Sequence, residues 1–195
     1  LSSIRRLWHL AAPCPEWAKL GWTEAIGDQR VWELWAATEI TGLTTISGEE
    51  WRQHRGSVGR GGMTDIKILD SNGQPCPPGT VGEIYSRFGD GSPQYHYLGA
   101  SPLPDVGEGY RSVGDLGYVD ESGYLYLADR RTDLIISGGS NVYPAEVEAG
   151  ISALPGVRDV AVIGVPDEDL GRRVHAVVEV SDGDPSPEEI LTHCA

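Results

Sequence analysis

Two short apolar runs held apart by a turn constrain this chain more than any other feature. Leu-Gly-Tyr-Val at residues 116–119 and Tyr-Leu-Tyr-Leu at 124–127 are β-prone, and Asp120-Glu121-Ser122-Gly123 between them reads as a tight turn with glycine at its end. The two runs can satisfy their backbone groups most directly by pairing as a hairpin. Folding that hairpin brings Asp115 and Arg130 to its open end. A carboxylate that accepts from vicinal hydroxyls, beside a guanidinium, suits a ribose-phosphate. An ordinary cross-strand ion pair fits the same spacing.

The residues flanking the hairpin carry further pattern. Tyr110-Arg111-Ser112-Val113-Gly114-Asp115 leads into it, and Asp129-Arg130-Arg131-Thr132-Asp133 leads out. Beyond lie Leu134-Ile135-Ile136-Ser137, a Gly138-Gly139 turn, and Pro144-Ala145-Glu146-Val147-Glu148. Upstream, the apolar run at 31–35 reads as a buried strand ending in Ala36-Ala37-Thr38-Glu39. A hydroxyl and a carboxylate at a strand end are the ligand types that phosphate and Mg²⁺ use.

Together these segments resemble the signature of the adenylate-forming enzymes, which include acyl-CoA synthetases, luciferases and the adenylation domains of peptide synthetases. The resemblance implies that Asp115 holds ribose hydroxyls and Arg130 the ribose or phosphate of ATP or AMP. It implies that Thr38 meets a phosphoryl oxygen and that Glu39 holds Mg²⁺; these two are the candidate catalytic residues. Trp35 stands where the family has tyrosine and is expected against the adenine. Ala11-Ala12-Pro13, after a strand over 5–11, resembles the family turn that borders adenine and acyl group, although a plain strand-to-helix turn reads equally well there. Thr132 takes the hinge position, where the family has Asp or Lys. Gly138 and Gly139 correspond to a turn along the CoA path; a bare β-turn is the alternative reading.

The implied fold is α+β: a β-rich end of the large adenylate-forming domain over residues 1–131, including a small β subdomain, followed by the start of a small mobile α/β domain over 132–195. The implied activity is that of an AMP-forming acyl-CoA synthetase of the kind that serves fatty acid metabolism. Carboxylic acid, ATP with Mg²⁺, and CoA are its substrates and cofactors. Loading of a carrier protein, and a non-catalytic nucleotide- or partner-binding relative, are the alternatives. The family's phosphate loop and its Pro-x-x-Gly-Lys lysine are not among these 195 residues, and no Lys follows Lys67. The chain therefore reads as the C-terminal portion of such an enzyme, internal at its start, and inactive by itself. The acyl group and the oligomeric state are not legible, and a homo-oligomer is compatible with the reading.

Composition narrows the partners. With 15 basic and 29 acidic residues the formal net charge is −14, which argues against general nucleic-acid binding and against anionic membrane surfaces. No apolar run approaches a membrane span and no signal-peptide pattern opens the chain. Cys14, Cys76 and Cys194 are odd in number and widely spaced, which fits free thiols and a cytoplasmic location.

Elsewhere the pattern predicts a helix over 15–26, stopped by Gly27, with Trp17, Leu20 and Trp22 in the core. Residues 41–60 read as a polar, irregular run. Antiparallel strands are expected at 66–70 and 81–85, and a Gly/Pro/Ser-rich loop at 88–109 packed down by Tyr95, Tyr97 and Leu98. A helix from Pro144 with Val147, Ile151 and Leu154 on its apolar stripe is followed by strands at 157–165 and 174–180. The charged run 167–173 reads as the solvated loop between them. Val162 and Val178 are expected to be exposed, and Pro187 to start a last helix.

Overall fold

The computed structural model describes all residues except 13, 94, 100, 131, 182–184 and 195. It divides into two compact units, Leu1–Leu127 and Ala128–Ala195. Both mix helices with a majority of strands, the α+β class read from the sequence.

The first unit opens with strand β1 (Leu7–Leu10) and helix α1 (Glu16–Ile26). Pro15 caps α1 and Gly27, at φ +92°, ends it. A single 3-10 turn over 28–30 then leads into β2 (Val31–Ala36), which pairs parallel with β1, Leu10 opposite Leu34. β3 (Leu43–Ser47) pairs antiparallel on the other side of β2 and closes a three-stranded sheet. α1 does not bury Trp17 and Trp22, which are 76% and 38% exposed. Its inward face is Lys19, Thr23 and Ile26, spaced by four and three, with Leu20 half-buried beside it. The aromatic residues lie off that stripe, so their hydrophobicity does not decide their placement.

Residues 41–60 are regular rather than irregular. After β3 come helix α2 (Gly48–Gln53) and strand β4 (Ser57–Gly59). Thr44, Ser47 and Ser57 are inward but satisfied. The Thr44 hydroxyl donates to the Val58 carbonyl at 2.7 Å, and Ser57 to the Leu125 carbonyl at 2.8 Å. Ser47 and Glu50 cap α2 reciprocally, which contributes about 1 kcal/mol. At Gly59 (φ +95°) a Cβ would lie 2.1 Å from the Thr45 carbonyl oxygen, so only glycine lets β4 pass this close to β3.

A second sheet contains β5 (Thr64–Leu69), β6 (Gly82–Phe88), β7 (Asp115–Val119) and β8 (Leu125–Arg130), in the order β4-β8-β7-β6-β5. The predicted hairpin is β7–β8. Asp120 closes it by accepting from the backbone N–H of Ser122 and Tyr124, each at 2.9 Å. Trp35, Val58, Ile68, Ile84 and Leu125 form one core shared by β2 and the second sheet. The described residues of 89–109 form a loop without helix or strand. Leu98 is 89% exposed and does not pack that loop down, whereas Tyr95 and Tyr97 meet edge to face at 5.3 Å.

In the second unit β9 (Ile135–Ser137) and β10 (Ser140–Val142) form a hairpin around Gly138 and Gly139, both at positive φ. Two successive left-handed residues are what a two-residue hairpin turn requires. Helix α3 (Pro144–Ser152) packs on a long hairpin of β11 (Val157–Asp167) and β12 (Gly171–Val180). These strands run through the charged segment: Asp167 pairs with Gly171, Pro166 with Arg172 and Val165 with Arg173, leaving a turn of only three residues. Side chains of a two-stranded ribbon can be charged on the open face without ending the pairing. Alternation buries Val162 and half-buries Val178, while Ile163 and Val177 are 49% and 57% exposed. Helix α4 (Pro187–His193) starts on a Ser186–Glu189 capping box.

Candidate functional site

β1 and β2 are parallel, so both leave the sheet at the same edge. There the chain continues as Ala11-Ala12 after β1 and as Ala37-Thr38-Glu39 after β2. Ligand sites in sheets with parallel strands favour the carboxyl ends of the strands, because loops can diverge there without disturbing the ladder. Ala11 takes φ +75°, a conformation that a non-glycine residue adopts only when its surroundings impose it. Ala11, Ala12 and Thr38 are exposed. Pro13 lies outside the described residues.

Trp35, the penultimate residue of β2, is 7% exposed and belongs to the core. Its indole N–H donates to Asp115 Oδ2 at 2.9 Å, across a sequence separation of 80 residues. Two residues that the sequence pattern assigned separately to a nucleotide are thus in direct contact. Asp115 is held from its own side as well. The Ser112 hydroxyl, fully buried, accepts from the Gly114 N–H at 3.0 Å and sets the turn from which β7 starts.

Glu39 is half-buried in the turn after β2, where the Ile40 N–H donates to the Ala37 carbonyl at 3.0 Å. The Tyr97 hydroxyl donates to Glu39 Oε1 at 2.5 Å. That hydrogen bond, then burial, pushes the Tyr97 phenol up to about 12. Just beyond, Ser86 of β6 donates to the buried Thr41 hydroxyl at 3.1 Å and ties the turn to the second sheet. Mg²⁺ at nucleotide sites is commonly held by one or two carboxylates together with phosphate oxygens and water. A single Glu39 suits that mode. No cluster of three or more His, Cys, Asp or Glu that could hold a metal alone occurs among the described residues.

The other predicted residues belong to the second unit. Arg130 ends β8 and is exposed; its backbone N–H donates to Asp129 Oδ1 at 2.7 Å. The second oxygen of Asp129 accepts from the Ala145 N–H at 3.0 Å. Asp129 therefore caps α3, whose own N-cap Tyr143 offers no side-chain acceptor. Thr132 is exposed and donates to Asp133 Oδ1 at 3.1 Å. The Gly138 N–H donates to the Leu170 carbonyl at 2.9 Å, which seats the Gly138-Gly139 turn on the β11–β12 turn.

One group beside the site has no counterpart in the sequence reading. Lys19 is 2% exposed, ion-paired with Glu33 of β2, and His9 of β1 stands 3.5 Å from the other Glu33 oxygen. A signal existed: Glu33 shares the inward alternation of Val31 and Trp35, and a buried carboxylate needs a cation.

The family model "AMP-binding enzyme" matches residues 1–95, and "AMP-binding enzyme C-terminal domain" matches 146–195. The chain belongs to the adenylate-forming, AMP-binding superfamily. A fatty acid–[acyl-carrier-protein] ligase of Streptomyces coeruleorubidus is 40% identical over 65% of this chain and 24% of its own length. A long-chain-fatty-acid–CoA ligase of Mycobacterium tuberculosis is 37% identical over 82% of this chain and 32% of its own. Among solved structures, the o-succinylbenzoate CoA synthetase of Bacillus subtilis in complex with ATP and magnesium ion is 32% identical, with a TM-score of 0.80 over 94% of this chain and 38% of that one. The chain spans about a third of the length of the curated relatives it matches. The chain thus combines the α+β architecture of its family with the strand-end arrangement described above. No helix of the described residues is long and apolar enough to cross a membrane.

Proposed function

We propose that this chain is part of an ATP-dependent, AMP-forming acid–thiol ligase. In the first half-reaction a carboxylate oxygen attacks the α-phosphorus of ATP, forming acyl-adenylate and releasing pyrophosphate. In the second, the thiolate of CoA attacks the acyl carbon and AMP leaves. The observation that carries the reading is the contact of Trp35 with Asp115, because it joins the strand that leads to Thr38 and Glu39 to the start of the hairpin signature.

In this reading Asp115 accepts from the ribose hydroxyls, and Arg130 contacts ribose or phosphate. Thr38 donates to a phosphoryl oxygen. Glu39 is the residue that would hold Mg²⁺, which when bound neutralises charge on the phosphates. Ala11, Ala12 and Pro13 border the nucleotide, and Trp35 reaches it through Asp115. Residues 1–131 are assigned to the large domain and 132–195 to the mobile small one, with Thr132 as the hinge. Gly138 and Gly139 line the CoA path. Free Cys14, Cys76 and Cys194 support a cytoplasmic setting. The isolated 195-residue chain is expected to form no acyl-adenylate, since it spans about a third of its relatives.

A second acceptor is supported by one specific observation, the 40% identity with a ligase that loads an acyl carrier protein. The test uses the full-length gene product with a panel of carboxylic acids. Acid-dependent exchange of labelled pyrophosphate into ATP reports the first half-reaction. Thioester formation on CoA, compared with that on a phosphopantetheinylated carrier, separates the two acceptors. Absence of exchange with every acid class would reject the ligase reading.

A further inference from the structure

The indole of Trp35 is buried among Val58, Ile68, Ile84 and Leu125, and little of the residue is left exposed for a base to stack on. Packing on these neighbours fixes the ring. The one polar atom of the indole, Nε1, points at Asp115 Oδ2 from 2.9 Å. An indole N–H only donates; it cannot accept or change its charge near neutral pH. Its effect on Asp115 is therefore of one kind. It restricts rotation about the bond that carries the carboxylate.

We propose that Trp35 is a positioning residue for Asp115: it orients the carboxylate for the ribose hydroxyls and does not serve mainly as a platform for adenine. The proposal rests on the reading of Asp115 as the ribose ligand. Its physical basis is preorganisation. A carboxylate on a half-buried strand end has several rotamers, and a hydroxyl pair accepts only some of them. A donor anchored in the core selects among those rotamers before nucleotide arrives, so less conformational freedom is lost on binding. The anchor is set by β2, and Thr38 and Glu39 follow in the turn directly after that strand. Ribose and phosphate contacts are thereby referred to one rigid element.

The distinguishing experiment compares two ligands on the full-length gene product, ATP and 2′,3′-dideoxy-ATP, by equilibrium binding. The second ligand keeps base and phosphates but lacks the hydroxyls. Trp35→Phe retains an aromatic ring in the core and removes the donor. The expected result is a loss of about tenfold in ATP affinity with dideoxy-ATP affinity unchanged. Asp115→Ala should remove the preference for ATP, and adding Trp35→Phe to it should cost nothing more. Dideoxy-ATP binding also reports that the variant is folded. If Trp35→Phe does not fold, replacement of Trp35 by benzothienylalanine keeps the ring size and exchanges the N–H for sulfur, and the same selective loss is expected. Equal weakening of both ligands, or of neither, overturns the positioning role. A wild-type protein that binds the two ligands alike, with Asp115→Ala also without effect, overturns the ribose assignment itself and the proposal with it.

Discussion

Lys19 of α1 and Glu33 of β2 form an ion pair in the interior of the first unit, with the ammonium 4.5 Å from the centroid of the Trp51 ring. Burial pushes the Lys19 amine down from its ordinary value, and the hydrogen bond and charge of Glu33 oppose that shift. The pair fixes α1 against β2, the strand that carries Trp35 and leads to Thr38 and Glu39.

Removing one partner leaves a buried charge uncompensated. Lys19→Met is expected to destabilise the protein by about 3 kcal/mol, and Lys19→Met with Glu33→Leu by clearly less. Denaturant midpoints of the two single variants and the double variant close the cycle. A double variant as unstable as the sum of the singles would show that the charges are not coupled.

Glu39→Gln keeps the shape of the side chain and removes the charge that Mg²⁺ requires. Pyrophosphate release by the full-length gene product is expected to fall by at least about tenfold, with partial recovery at high Mg²⁺. A normal rate at limiting Mg²⁺ would leave Glu39 as a structural partner of Tyr97 only.

Thr132→Pro fixes φ and removes a backbone donor at the assigned hinge. The two half-reactions, measured separately, are expected to be impaired unequally, since one domain pose is then favoured over the other. Equal loss in both, or loss in neither, counts against a hinge at this residue.

Three turn aspartates make the fold acid-sensitive. Asp70 is held low by the N–H of Gln74, then by Asn72, and Asp167 by the N–H groups of Leu170 and Asp169. Burial raises Asp120, but donors from Tyr124, Ser122, Tyr126 and His54 outweigh it and leave it lowered. A carboxylate with a depressed folded value contributes stability that is present above about pH 4 and is lost as pH falls through the folded value. Asp120→Ala is expected to flatten stability against pH between about pH 5 and about pH 2. An unchanged slope would mean that Asp120 does not contribute to the linkage.

Gly59→Ala places a Cβ 2.1 Å from the Thr45 carbonyl oxygen at a φ of +95°. Since backbone must move to admit it, a loss of more than about 1 kcal/mol is expected, read as a lowered thermal midpoint. Gly62→Ala, where a Cβ meets nothing within 4 Å, is the matched control.

The sequence by itself determined the elements whose signals are local. The β7–β8 hairpin follows from two β-prone runs around a turn closed by glycine, and α3 and α4 from proline at their starts. The signature residues were legible because the chemistry of nucleotide binding restricts residue type and order within short segments. Only the tertiary structure decided what those residues touch. Trp35 meets Asp115 across 80 residues, and Tyr97, read as loop packing, donates to Glu39 across 58. It turned Trp17 outward and Lys19 inward, because a helix buries the stripe that faces its neighbour, whatever that stripe contains. It also made regular structure of 43–59, where buried threonines and serines find carbonyl partners on strands distant in sequence. Periodicity and turn chemistry act over a few residues, whereas the partner of a buried polar group is fixed only when the sheets have packed.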